Sequence, residues 1–315
     1  MTIRMLCKAA AGWGCLLLTM GAMLAFASNA LAVQTDQYDA FSRCPTELPA
    51  LNDPATGEFI ICTTIDAPGA TLKIGERQLP VSDFNVQFAV TGLGVEEPEC
   101  PVAGACFGYI PGTTSLEATP SVINAGFRDR GPGPRGKARL EVTIESAGEV
   151  RAVTPAFLFE QPIPVAKVPI KLHVEAPWLG PDCYVGSDEE PIVLGPFAIG
   201  PPGGGGFASD PNGYKVEMLR IEDTPFADKA VALPGAHDCG HSRGQRYSKD
   251  HGRSKGDGDS WKNEVVEGLL GLPSAAGQNE MLLPDTLVAL VAAPIDGTAP
   301  DGGAELQAAF VAAKQ

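Results

Sequence analysis

Residues 168–175 read VPIKLHVE. Val168, Ile170, Leu172 and Val174 fall on one side of an extended chain, and Lys171, His173 and Glu175 on the other. A period of two is the pattern of a β-strand with one face against a core. Residues 138–145, ARLEVTIE, repeat it, with Ala138, Leu140, Val142 and Ile144 opposing Arg139, Glu141, Thr143 and Glu145. In residues 84–90, FNVQFAV, the apolar set is Phe84, Val86, Phe88 and Val90, and Asn85 and Gln87 point the other way. Strands of parallel sheets are covered on both faces and lose this alternation, so the pattern predicts antiparallel sheet with one wet face.

Shorter apolar runs at 59–63, 70–74, 156–159, 192–194 and 214–221 are further strand candidates. Gly75-Glu76, between Leu72/Ile74 and Leu79/Val81, reads as a tight hairpin corner. Helix is scarce. Trp261, Val265, Val266, Leu269 and Leu270 share one helical face; Asp259 or Ser260 can cap its start, and Gly271 then Pro273 end it. Residues 304–313 form a second short helix candidate. No repeating βα pattern is present, which disfavours Rossmann and TIM architectures. The fold expected is mainly β, an antiparallel β-sandwich or barrel-like structure with one or two short helices.

Of 315 residues, 37 are Gly and 28 Pro, in keeping with many turns. The charge balance is 23 basic to 38 acidic residues, net −15, which argues against a sequence-independent nucleic-acid binder. Residues 1–32 read as a secretory signal: Arg4 and Lys8 precede an apolar stretch over 9–27, and Ala30-Leu31-Ala32 places small residues before a cut at Val33. The competing reading is an uncleaved membrane anchor. Cleavage would leave 21 basic and 38 acidic residues, net −17, a surface that repels other anions. The organisation expected is a signal over 1–32, a disulfide-stapled β-rich domain over 33–295 with a possible subdivision near 175–182, and a tail or short helix over 296–315. Three polar or glycine-rich stretches interrupt it: a loop at 128–137, a flexible joint at 203–206 and a mobile insertion at 241–260.

Cys7 and Cys15 would leave with the signal, and six cysteines remain. In an oxidising compartment an even count reads as disulfides. Order along the chain suggests Cys44–Cys62, Cys100–Cys106 and Cys183–Cys239, although six cysteines allow many connectivities. No Cys-x-x-Cys pair exists, so a zinc ribbon or thioredoxin-like site is not expected.

Three of the four histidines, His237, His241 and His251, lie within one polar stretch with Asp257 and Asp259. These five residues are the candidate ligands of a metal such as Zn²⁺ or Cu²⁺. The plainer reading is a polar surface loop with Cys239 tied in a disulfide. Gly240-His241-Ser242-Arg243-Gly244 has the spacing of a hydrolase nucleophile elbow but lacks the preceding strand and following helix. Adjacent carboxylates at Asp188-Glu189-Glu190 and Glu96-Glu97 read as solvated turns, since glycoside hydrolysis needs carboxyls across a cleft. Trp178 reads as a packing aromatic at a strand end rather than a sugar platform.

Three segments resemble a family of secreted actinobacterial proteins of unknown function. They are KLHVEAPWLGPDCYVGS at 171–187, VALPGAHDCG at 231–240 and LLGLPSAAGQN at 269–279. The chain departs from that pattern at Ala176 and in the polar stretch 241–260. The resemblance implies secretion and a Cys183–Cys239 pair, and brings no activity.

The function expected is that of a secreted, non-catalytic β-rich protein, an interaction or structural component of the cell surface or extracellular space. Its partner class is a cell-envelope or extracellular protein; no cofactor, nucleic acid or membrane association after cleavage is expected. The alternatives are a binder of a small apolar or carbohydrate ligand, in a pocket lined by residues such as Phe84, Phe88, Phe157, Phe159 and Trp178, a hydrolase without a visible motif, and a metal-binding protein.

Overall fold

A computed structural model describes residues 35–53, 55, 59–95, 100, 106–126, 137–152, 163–209, 216–240, 260–295 and 302–313. An arm of two 3-10 turns, Thr35–Phe41 and Pro49–Asn52, leads into β1 (Phe59–Ile74), β2 (Arg77–Val95), β3 (Cys106–Tyr109), β4 (Ser115–Glu117) and β5 (Ser121–Gly126). There follow β6 (Lys137–Ser146), β7 (Arg151–Ala152), β8 (Ala166–Glu175), β9 (Tyr184–Val185), β10 (Ile192–Leu194), β11 (Phe197–Ala198) and β12 (Gly204–Ser209). The chain closes with β13 (Glu217–Asp228), β14 (Ala236–His237), helix α1 (Ser260–Leu270), β15 (Asn279–Pro294) and helix α2 (Gly302–Ala313).

The strands form two sheets. The larger runs β11-β13-β15-β1-β2-β3, with β12 beside β13 and β4 beside β2; the smaller runs β14-β9-β8-β6-β5, with β10 and β7 beside β8. Every described pairing is antiparallel. The sheets face each other across one core. Phe84, Val86, Phe88 and Val90 of β2 meet Val168, Ile170, Leu172 and Val174 of β8 and Leu140, Val142 and Ile144 of β6 there. The alternating stretches thus do what their period requires, and the antiparallel sandwich is the fold.

The larger sheet differs from expectation in having a second covered face. Gln87, assigned to a wet face, is only 2% exposed. Ile60, Cys62, Ala89, Ala289 and Val291 on that face pack under Tyr38 and Phe41 of the arm and Leu306 and Ala309 of α2. Phe310 stacks on Phe41 at 5.9 Å. Burial on both faces also explains why β15 shows no alternation: its stretch over 287–294 is a continuous apolar run.

β1 is one strand of 16 residues where the sequence suggested two runs. Its pairing with β15 stops at Asp66–Leu287 and resumes at Thr71–Leu282. Pro68 and Pro284 lie in that gap, and proline has no N–H to give a ladder. Gly75-Glu76 does turn the β1–β2 hairpin, with Gly75 at φ +56°.

The glycines expected to form a flexible joint are instead strand. Gly204–Gly206 pair with Ile221 and its neighbours on β13. A Cβ on Gly205 would lie 2.4 Å from the Arg220 carbonyl oxygen, so close approach of two backbones selects glycine there. Helix α1 begins at Ser260, buries Val266 and Leu270, and ends at Gly271, whose φ is +79°. The run 304–313 is helix α2. Residues 156–159, 127–136 and 241–259 lie outside the described residues.

Three disulfides staple the fold. Cys44 ties the arm to Cys62 on β1, Cys100 joins Cys106 at the start of β3, and Cys183 joins Cys239. The last two sulfur-bearing residues are buried in the main core.

Candidate functional site

The outer face of the larger sheet carries a polar trough of about 750 Å³. Antiparallel register sets its floor. Glu117 on β4 lies opposite Asn85 on β2, Asn85 opposite Asp66 on β1, and Asp66 opposite Leu287 on β15. One step along, Gln87 lies opposite Thr64, Thr64 opposite Ala289, and Ala289 opposite Arg220 on β13. Side chains of alternate residues share a face, so both rows point outward beneath the arm.

The arm supplies one wall through Asp39, Ser42 and Arg43. The Arg43 backbone N–H donates to Gln87 Oε1 at 2.8 Å. Its guanidinium donates to the side-chain and backbone oxygens of Asn85. Nη1 sits 2.9 Å from Glu117 as an ion pair without hydrogen-bond alignment. Asn85 Nδ2 in turn donates to Asp66 at 3.1 Å. The arm, β2, β4 and β1 are thereby joined by one polar network, and the Cys44–Cys62 bridge holds the arm against it.

At the other end Arg220 pairs with Glu222 at 2.6 Å. Arg220 Nε and Thr64 Oγ1 are buried without a hydrogen-bond partner among the described residues. Such groups are uncommon in folded proteins, because losing hydration uncompensated is unfavourable. The trough therefore offers fixed donors and acceptors, with unsatisfied groups on the arm, β1 and β13. Asp83 and Thr119, bonded to each other at 2.6 Å, form its rim.

A second cluster occupies the outer face of the smaller sheet. Thr143, His173, Tyr184 and His237 are successive cross-strand partners on β6, β8, β9 and β14. The His173 and Tyr184 rings stack at 4.7 Å, and His237 follows at 6.3 Å. Both nitrogens of each histidine face oxygen: Glu145 and the Pro181 carbonyl for His173, Asp238 and the Gly186 carbonyl for His237. Lys171 lies over the Tyr184 ring and bonds Asp188 at 2.7 Å, a hydrogen bond that raises the lysine above its ordinary range despite burial. The ring faces are turned to each other, so this ladder offers no free stacking platform.

Burial by itself lowers the His237 pKa, but the Asp238 hydrogen bond, the Gly186 carbonyl and the charges of Asp238 and Glu189 together raise it above the ordinary value. A raised folded-state pKa stabilises the fold below about 6.5, and that contribution fades as pH rises through the folded value. The stability difference between the wild type and His237→Gln should then be larger at pH 5.5 than at pH 8 in urea titrations. Equal differences at both pH values would remove the protonated imidazole from the account.

Of the candidate metal ligands, His237 stands in this ladder with both nitrogens engaged; His241, His251, Asp257 and Asp259 lie outside the described residues. Among the described residues no three His, Cys, Asp or Glu side chains converge as a metal site would need. Residues 241–244 of the elbow-like segment, its serine among them, and Glu96-Glu97 also lie outside the described residues. Asp188-Glu189-Glu190 is a bend in which the Glu189 and Glu190 N–H groups donate to Ser187 Oγ. Phe84 and Phe88 are 1% exposed and belong to the closed core, so they line no pocket; Phe157 and Phe159 lie outside the described residues. Trp178 stacks on Trp261 at 6.2 Å.

Sequence reasoning missed the trough. Its residues come from the arm, five strands and a loop, and no local spacing unites them. The nearest signal was the pair Asn85 and Gln87 on the polar side of β2. Compared with protein families, curated proteins and solved structures, the chain matches none.

Proposed function

We propose that the chain is an exported, non-catalytic recognition protein that binds a hydroxyl-rich ligand, a carbohydrate, in the trough of the larger sheet. The observation that carries this is the floor: guanidinium and amide donors alternate with carboxylate and amide acceptors, held by their own hydrogen bonds. Sugar hydroxyls both donate and accept, and a prearranged polar surface of this kind recognises them at low ordering cost. The volume falls in the range of small-ligand sites. An apolar ligand is disfavoured, because burying it here would strip water from charged groups without return. Export is supported by the N-terminal pattern and by the three disulfides. No described helix is long and apolar enough to cross a membrane.

Mass spectrometry of protein recovered from the medium should show a chain beginning at Val33. Neutral mono- and disaccharides should raise its melting temperature, and Asn85→Ala should abolish that rise while leaving the fold intact by circular dichroism. A chain retaining residues 1–32 would overturn export. No shift with any sugar would overturn the ligand class.

A further inference from the structure

We infer that the trough takes an extended, uncharged or amine-bearing glycan chain laid across the strands, with Arg220 reading its far end. This rests on the carbohydrate reading above and goes further by specifying length, orientation and charge.

Length follows from register. From Glu117 on β4 the lining passes over β2, β1 and β15 to Arg220 on β13. Four inter-strand steps of about 4.8 Å make that span about 19 Å. Along β2 the lining runs from Asp83 to Gln87, about 13 Å, so the longer axis of the trough lies across the strands.

Orientation separates glycan from peptide. The floor is the face of a sheet whose backbone groups are spent on their own ladders, so an extended peptide finds no open edge to pair with. Side-chain amides, carboxylates and guanidiniums are what is exposed, and they suit hydroxyls along a polymer. The two ends differ in how firmly their arginines are held. Each arginine has one buried nitrogen without a hydrogen-bond partner among the described residues, Arg43 Nη1 and Arg220 Nε, but Arg43 is otherwise engaged by Asn85, Gln87 and Glu117, whereas Arg220 has one side-chain partner, Glu222. The less engaged arginine lies on β13, across β15 from Asp66, so a chain that starts beside Glu117 must cross β15 to reach it.

Charge decides the glycan class. Asp39, Asp66, Asp83 and Glu117 outnumber Arg43 and Arg220 around the trough, and the whole chain carries net −15. A polyuronate would meet repulsion both at long range and at the site.

The test is calorimetric titration of the full exported chain with oligomers of two to six sugars. The probes are β-1,4-glucose, β-1,3-glucose, α-1,4-glucose and β-1,4-N-acetylglucosamine series, with oligogalacturonates as the anionic comparator. At least one neutral series should gain tenfold or more in affinity from dimer to hexamer, and oligogalacturonates should bind at least tenfold more weakly. Arg220→Met should erase most of that gain, and Arg220→Lys should restore part of it. A dimer that binds as tightly as the hexamer overturns the spanning chain and leaves the carbohydrate reading standing. Tighter binding of oligogalacturonate overturns the charge argument. An Arg220→Met protein that loses dimer and hexamer binding equally overturns the end-reading role. Absence of binding to every glycan removes both readings.

Discussion

Replacing Cys183 and Cys239 together by alanine should cost about 4 kcal/mol of stability at 25 °C. The bridge closes a loop with a sequence separation of 56. In the chain-entropy model a crosslink of that span restricts the unfolded ensemble by about 4 kcal/mol, against about 2 kcal/mol for a loop as short as Cys100–Cys106. Alanine is the right replacement because both positions are buried, 0% and 1% exposed, and serine would add an unpaired hydroxyl to the core. Local contacts point the same way. The Cys183 carbonyl accepts from Val174 N–H on β8, and Cys239 N–H donates to Asn263 on α1 at 3.0 Å. The bridge thus joins the edge of the smaller sheet to the helix that closes it. For a chain of this size such a loss corresponds to a melting temperature lower by about 8 to 15 °C. Urea unfolding of the two double variants, Cys183→Ala/Cys239→Ala and Cys100→Ala/Cys106→Ala, checks both the size and the ranking. Equal midpoints for the two would refute the loop-length account.

What the sequence disclosed follows from what each element touches. β6 and β8 have one face in the core and one toward solvent, so Leu140, Val142, Ile170 and Leu172 announce their strands by period alone. β15 touches a core on both faces, Leu283 and Val288 on one and Ala289 and Val291 on the other, and its period vanishes. The apolar runs 59–63 and 70–74 are parts of one strand, β1, although Pro68 and Gly69 lie between them. Tertiary pairing carries the strand through them, with β2 opposite Pro68 and Ala70 without a slip in register. The arm 35–43 has no periodicity to read, yet Phe41 is 1% exposed, and its place depends on β15 and α2, more than 200 residues away. The trough inherits that difficulty. Arg43, Asp66, Asn85, Glu117 and Arg220 become one site only through the register of five strands and the lie of the arm. The segments 171–187, 231–240 and 269–279 meet elsewhere. Cys183 bonds Cys239, Val185 pairs with Ala236, and Leu233 exchanges hydrogen bonds with Ser274. Their distinctive residues are explained by joining strand β9, strand β14 and the turn after α1, not by chemistry at the trough.

That junction also contains the residue whose loss should be felt most from a single polar side chain. Asn279 opens β15 and is 2% exposed. Its Nδ2 faces the carbonyls of Val231 at 2.9 Å, Ser274 at 3.2 Å and Ala275 at 3.2 Å. Its Oδ1 accepts from Ser274 Oγ at 2.8 Å and from Gly75 N–H, at the β1–β2 corner, at 3.2 Å. One amide therefore ties together the segment before β14, the turn after α1 and the hairpin of the larger sheet. Asn279→Leu keeps the branching at Cγ but strands the Val231 carbonyl and the Gly75 N–H, while the Ser274 and Ala275 carbonyls keep the N–H groups of Leu233 and Gln278. At about 1 to 3 kcal/mol for each group stranded in this way, the expected loss is about 3 to 5 kcal/mol, several times that of an ordinary hydrogen bond. Asn279→Asp separates shape from hydrogen-bond polarity. The introduced carboxylate can still accept from Ser274 and Gly75, but it sets a second oxygen against the Val231 carbonyl, so its protonated form is favoured in the fold. A carboxyl whose folded pKa is raised destabilises at pH 7 and recovers as pH falls through that value. Urea denaturation should then find Asn279→Asp closer to wild type at pH 4.5 than at pH 7, and Asn279→Leu equally impaired at both, each measured against the wild type at the same pH. An Asn279→Leu protein within 1 kcal/mol of wild type would show that the three segments are held by apolar packing alone, with the amide a passenger.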